Sequence, residues 1–162
     1  MLFRSSDARI YVNGVLENTQ PVTIVNYNID LYIGSTRGTS RFFAGIIDEV
    51  EIFSRALSAE EIAAIANAGS AGKCRSCVAP PSGLVSWWGG DGNPNDIIGT
   101  DHGTLQAGAT YAIGKVGQAF SFNGNLDSFV EIPHDPVFNP SGAFTVDGWF
   151  YFTPMQPEMQ VI

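Results

Sequence analysis

Apolar and polar residues alternate with a period of two in several short stretches of this chain, and that period predicts strands, because successive side chains of a strand point to opposite faces. The pattern marks strands over residues 8–12, 15–19, 29–34, 42–53, 84–88, 118–123, 128–132 and 144–152. Asn13-Gly14 joins the first two as a hairpin, since both positions of a type I′ turn need positive φ. The period changes once. Ser58 with Glu61 three residues on makes a capping box, and Ile62, Ile65 and Ala66 give the apolar stripe of a short helix near 58–68. Gly69 and Gly72 stop it, and a linker over 70–82, ending in Pro80-Pro81, separates two groups of strands.

Within 42–53, alternation places Ile46, Val50 and Ile52 on one core-facing side, with Asp48 among them. A carboxylate there must be hydrogen-bonded, ion-paired or bound to a metal. In 144–152, Phe144, Val146, Phe150 and Phe152 share one face, while Thr145, Asp147, Trp149 and Tyr151 share the other. Aromatic residues on the outer face of a sandwich are either a sugar platform or buried under loops; Trp149 is read as buried.

The run Phe43 to Ser58, extended by Ile10-Tyr11-Val12-Asn13-Gly14-Val15, Leu31-Tyr32-Ile33-Gly34-Ser35 and Ser58-Ala59-Glu60-Glu61-Ile62, resembles the C-terminal half of a laminin-G-like, concanavalin A-like jelly-roll domain of bacterial surface and secreted proteins. After Pro81 the order restarts. Gly83-Leu84-Val85-Ser86-Trp87-Trp88-Gly89-Gly90-Asp91-Gly92-Asn93, His102-Gly103-Thr104-Leu105, Gly117-Gln118-Ala119-Phe120-Ser121-Phe122 and Phe144-Thr145-Val146-Asp147-Gly148-Trp149 resemble the N-terminal half of the next copy. The resemblance implies an all-β antiparallel jelly-roll sandwich with one short helix, present as two part-domains or as a permuted sandwich. Residues 6–69 would close one module, 70–82 link, and 83–162 open a second; residues 1–5 fit no strand of the family and are read as a scar outside the fold.

The same resemblance implies a non-catalytic carbohydrate-binding or adhesion module of an exported protein, extracellular or on the cell surface, with a glycan or an extracellular protein as ligand. Its alternatives are an accessory module of a secreted glycoside hydrolase or sialidase, and a purely structural repeat. A half-module leaves strand edges open, which invites pairing with another copy. Related jelly rolls carry a structural calcium where first and last strands meet, which here implies Asp48 with Asp91 or Asp96.

Charge narrows the partners. The 162 residues carry a formal charge of −8, and Lys115 is the only basic residue after Arg75. Nucleic acid and anionic membrane surfaces are therefore excluded on electrostatic grounds, and no apolar run reaches the roughly twenty residues that span a bilayer. Calcium needs six to eight oxygen ligands, which the turn Asp91-Gly92-Asn93-Pro94-Asn95-Asp96 has in its side chains and carbonyls. The other reading of Asp48 is a carboxylate accepting backbone N–H bonds from a neighbouring loop.

Glu49 and Glu51 alternate as glycosidase carboxylates do, but on the closing strand of the resemblance, and are read as solvated surface charges; no catalytic residue is assigned. His102 and His134 lack a nucleophile partner, and Gly89, Gly90 and Gly92 precede no helix, so both read as loop features. Trp87, Trp88 and Tyr111 are the candidate sugar-stacking rings, with adjacency sending one tryptophan into the core and leaving the other free. Cys74 and Cys77 follow a helix and have no further zinc ligands nearby. They read as a local disulfide or two free thiols.

Overall fold

In the computed structural model of the chain, the described residues are 2–3, 7–23, 25, 27–71 and 80–152; the Cys74 and Cys77 pair lies outside them. The strands are β1 (Leu2–Phe3), β2 (Asp7–Val12), β3 (Val15–Pro21), β4 (Leu31–Ile33) and β5 (Ala44–Phe53), followed by helix α1 (Ala59–Ala68). Beyond the linker come β6 (Leu84–Trp88), β7 (Thr104–Leu105), β8 (Thr110–Ile113), β9 (Gln118–Asn123), β10 (Val130–Ile132) and β11 (Phe144–Phe152). The turn Asn13-Gly14 has φ of 51° and 80°, the left-handed pair that the hairpin sequence predicts. At α1, Ser58 and Glu61 complete the predicted capping box.

Two antiparallel sheets face each other, as expected of a concanavalin A-like sandwich. The large one has eight strands in the order β3-β2-β1-β11-β5-β9-β8, with β6 also on β5; the small one has three, β4-β10-β7. The two groups of strands on either side of the linker are thus merged. Along one side of β5 runs β11; along the other, β9 pairs Ala44 to Ile47 and β6 pairs Val50 to Phe53. In the small sheet β4 pairs β10 in the same way. The open edges of β5 expected to recruit another copy are filled from within the chain.

Alternation along β5 breaks at one point. Glu51 stands opposite Asp147 and Asp48 opposite Trp149, so Glu49 and Val50 together face the single residue Gly148. This is a β-bulge, and Glu49 takes the left-handed conformation, φ 54°, that such a bulge requires. Gly148 fits because a Cβ there would press to 3.3 Å from the Asp48 carbonyl. The extra residue reverses parity. Ile47, not Ile46, joins Val50 and Ile52 in the main core with Trp88, Phe120 and Phe122, packed on Ile33, Val130 and Ile132 of the small sheet. Ile46 and Asp48 are carried to the outer face. The expected grouping of Ile46, Asp48, Val50 and Ile52 on one side is corrected by that single residue.

A second cluster, Phe53 and Leu57 with the partly buried Tyr11, Ile62, Ile65 and Leu84, packs α1 on the outer face at the far end of β5. Thr145 of β11 is locked into that end, its hydroxyl accepting from the Leu57 N–H (3.0 Å) and donating to the Arg55 carbonyl (2.9 Å). Arg55 makes a bidentate pair with Glu61 and donates from Nε to the Ser82 carbonyl at 2.8 Å. Residues 2 and 3, set aside with 1–5 as a scar, instead form β1, which connects β2 to β11. The strands β7 and β8 were not predicted.

Candidate functional site

Where β6 and β9 part along β5, the bulge presents carboxylates to two turns. Asp48 is 1% exposed, and its Oδ2 accepts the Val116 N–H at 2.9 Å from the turn between β8 and β9. Its Oδ1 is buried without a hydrogen bond. Asp91, exposed just after β6, accepts the Gln118 N–H at 2.8 Å. Glu49 accepts the Trp87 indole N–H at 2.8 Å. Glycines make this crowding feasible: a Cβ at Gly114 would lie 2.5 Å from Asp48 Oδ2, and one at Gly117 2.4 Å from Asp91 Oδ1. Glu49 Oε1 and Asp91 Oδ2 lie within 3.6 Å of the same point beside Gly89.

Burial raises the proton affinity of Asp48; the N–H groups of Val116, Lys115 and Glu49 oppose that shift, and the charge of Asp91 adds to it. The reading of Asp48 as an acceptor of loop N–H bonds therefore describes its Oδ2. Asp48 and Asp91 do come together. Asp96 does not join them: its Oδ1 accepts from Trp87 N–H and Ile98 N–H, both at 2.9 Å, and fastens the loop after β6 to that strand. Its own N–H donates to His102 Nδ1, and its charge with that of Asp135 acts on Asp101, whose carboxyl burial raises most of all. Among the described residues no three His, Cys, Asp or Glu side chains are grouped to hold a metal ion.

The predicted sugar-stacking rings are core residues. Trp87 is 3% and Trp88 0% exposed, and each indole N–H is used internally, by Glu49 and by the Asp101 carbonyl. Both tryptophans are covered because the sheet is packed on both faces here. Tyr111 packs against Phe120 and the main core. Glu49 and Glu51, expected to be solvated, are 2% and 0% exposed, so neither carboxylate is open to a substrate from solvent. His134 likewise serves structure, its N–H donating to Asp30 at 2.8 Å.

The exposed rings are elsewhere. Tyr151 is 64% exposed on the outer face, and Trp149 is half-buried on that face with Lys115 Nζ 5.1 Å from its ring centroid. At the other end of β5, a cleft of about 400 Å³ has apolar walls that include Leu31, Ile52, Phe53, Val85, Phe138 and Phe144.

Residues 1–63 match the laminin-G family model described as the concanavalin A-like lectin/glucanases superfamily. This segment is laminin-G-like. Comparison with curated proteins and with solved structures finds no match. The laminin-G-like segment contains β5 and the Ser58 cap, the two features on which the sequence resemblance rested most heavily. The superfamily takes in lectins and glucanases alike, so the match supports a carbohydrate-binding or adhesion module in general and leaves chemistry to the residues. No described helix is long and apolar enough to cross a membrane.

Proposed function

We propose that this chain is a non-catalytic carbohydrate-binding or adhesion module of an exported bacterial protein, built from the end of one laminin-G-like module and the start of the next. The match of residues 1–63 to a lectin-containing superfamily carries the reading. The burial of Glu49 and Glu51 supports it against glycosidase chemistry at these two carboxylates, because general acid–base work needs a carboxyl within reach of the scissile bond. The merging of strands from both sides of the linker supports the assignment of the two halves, since closing and opening strands of one module would be neighbours. Extracellular location follows from the same reading.

Calcium belongs to this proposal at Asp48 and Asp91 only. The orphaned, buried Oδ1 of Asp48 beside a second carboxylate is the kind of acceptor a divalent ion satisfies. Bound there, it would fix the 114–117 turn to β5 and serve structure, not chemistry.

Affinity electrophoresis of the whole chain through gels containing β-glucan, galactan, mannan or polygalacturonate tests the binding function. Retardation by at least one polysaccharide is expected; uniform mobility in all of them overturns it. Calorimetric titration with calcium, repeated on Asp48→Ala, tests the ion. Heat of binding is expected only in the unaltered chain, and none in either removes calcium from the proposal.

A further inference from the structure

The outer face of the large sheet is covered unevenly. Helix α1 shields the Phe53 end and the 114–117 turn shields Asp48, but no other described residues cover the strip beyond them, where Tyr151 and Thr110 are exposed. Register places Tyr151 of β11, Ile46 of β5, Ser121 of β9 and Thr110 of β8 in one row across the strands. All four share the outer face, because their neighbours Phe120, Phe122 and Tyr111 point into the main core. The ends of the row, Tyr151 and Thr110, are exposed, and Ile46 and Ser121 are half-buried between them. Four strands spaced about 4.8 Å apart make a strip roughly 14 Å long, the reach of two to three sugar rings. One end has a flat ring for the C–H face of a sugar; the other has two hydroxyls. Beside the strip, the Trp149 indole holds the Lys115 ammonium as a further donor.

We infer that this row is the glycan-binding strip of the module and that it takes a neutral hexose polysaccharide; the inference rests on the carbohydrate-binding function proposed above. Charge decides the class. Lys115 is the only Lys or Arg among residues 80–152, whereas Asp48 and Asp91 accept N–H bonds from the adjoining Val116 and Gln118, and the whole chain carries −8. A polyanion would meet net repulsion, while neutral hydroxyls can accept from Lys115 and exchange hydrogen bonds with Ser121 and Thr110. The ligand recognised is therefore a ring with an apolar face and uncharged polar edges. This strip replaces Trp87, Trp88 and Tyr111 as the stacking surface.

The test repeats the electrophoresis panel on the full chain carrying Tyr151→Ala, Thr110→Ala, Lys115→Gln or, as a control remote in sequence, Tyr27→Ala, whose ring is 55% exposed. A neutral polysaccharide is expected to retard the unaltered chain and Tyr27→Ala equally. Tyr151→Ala should bind about tenfold more weakly, and Thr110→Ala and Lys115→Gln by smaller factors. Thermal unfolding of each variant should match the parent, since these side chains are at the surface. Retardation undiminished by Tyr151→Ala overturns the strip while leaving the binding function intact. Retardation by polygalacturonate alone overturns the neutral class. Failure of every polysaccharide to bind the unaltered chain overturns the function and the strip with it.

Discussion

The two ends of β5 are built on opposite electrostatic plans. At the Phe53 end the Arg55 guanidinium draws the Glu61 carboxyl beside it down to about 2. At the Asp48 end burial drives the carboxyl upward, and the charge of another carboxylate, Asp91, adds to that shift. One end is closed by an ion pair and a capped helix, the other by backbone N–H groups of a glycine-rich turn. A single strand thus joins a region that favours ionised acid to one that resists it. The bulge at Glu49 and Val50 separates the two by changing which face each side chain meets.

Deleting Glu49 is the severest way to break that contrast. Without the extra residue, one half of β5 must turn its side chains to the wrong face, sending Ile47 outward or Val50 and Ile52 out of the core. A loss of more than about 4 kcal/mol is expected, read as disappearance of the cooperative urea transition. An unchanged midpoint would show that the bulge does not set the register.

Thr145→Val strikes the Phe53 end alone. It leaves the buried Leu57 N–H without an acceptor and removes the donor to the Arg55 carbonyl. Denaturant titration should show a loss of about 1–3 kcal/mol, with the glycan retardation of the parent retained. Destabilisation below the resolution of the titration would mean that water takes over the hydroxyl's role.

The smallest effects are in pH dependence, and their signs are opposite. Glu61 titrates below its ordinary value, so the stability it contributes is present above that value and is lost as pH falls through about 2. Asp48 titrates above its ordinary 3.8, so its contribution is greatest below that value and is lost as pH rises through the folded-state value. In chelator-containing buffer, Glu61→Gln should reduce acid destabilisation, whereas Asp48→Asn should flatten the decline on the alkaline side of pH 3.8. Slopes of unfolding free energy against pH check both; slopes of the same sign would remove the contrast.

Much of the framework was legible because its signals are local. The Asn13-Gly14 turn, the Ser58 and Glu61 cap and the strands β6, β9 and β11 are written in residues only a few positions apart. What alternation could not reveal was the bulge, because Glu49 carries no glycine signal at its left-handed position. It is held there by Gly148 across the ladder and by the Trp87 indole, both distant in sequence. For the same reason Asp48 was assigned to the wrong face while its backbone partner was anticipated. The two tryptophans show a second limit: strand alternation assigns opposite faces, but only the tertiary packing reveals that both faces are covered. Tyr151 and Thr110 fall in one row only after β8, too short and too weakly patterned to be read, takes its place at the sheet edge.

Strands that follow the linker grip β5 along both flanks, so the described ladders join the two groups of strands independently of the covalent connection between residues 71 and 80. Cutting the chain there would leave the described ladders of β5 with β6, β9 and β11 in place. A protease nick in that segment should therefore yield two fragments that travel together through a sizing column and separate only in denaturant.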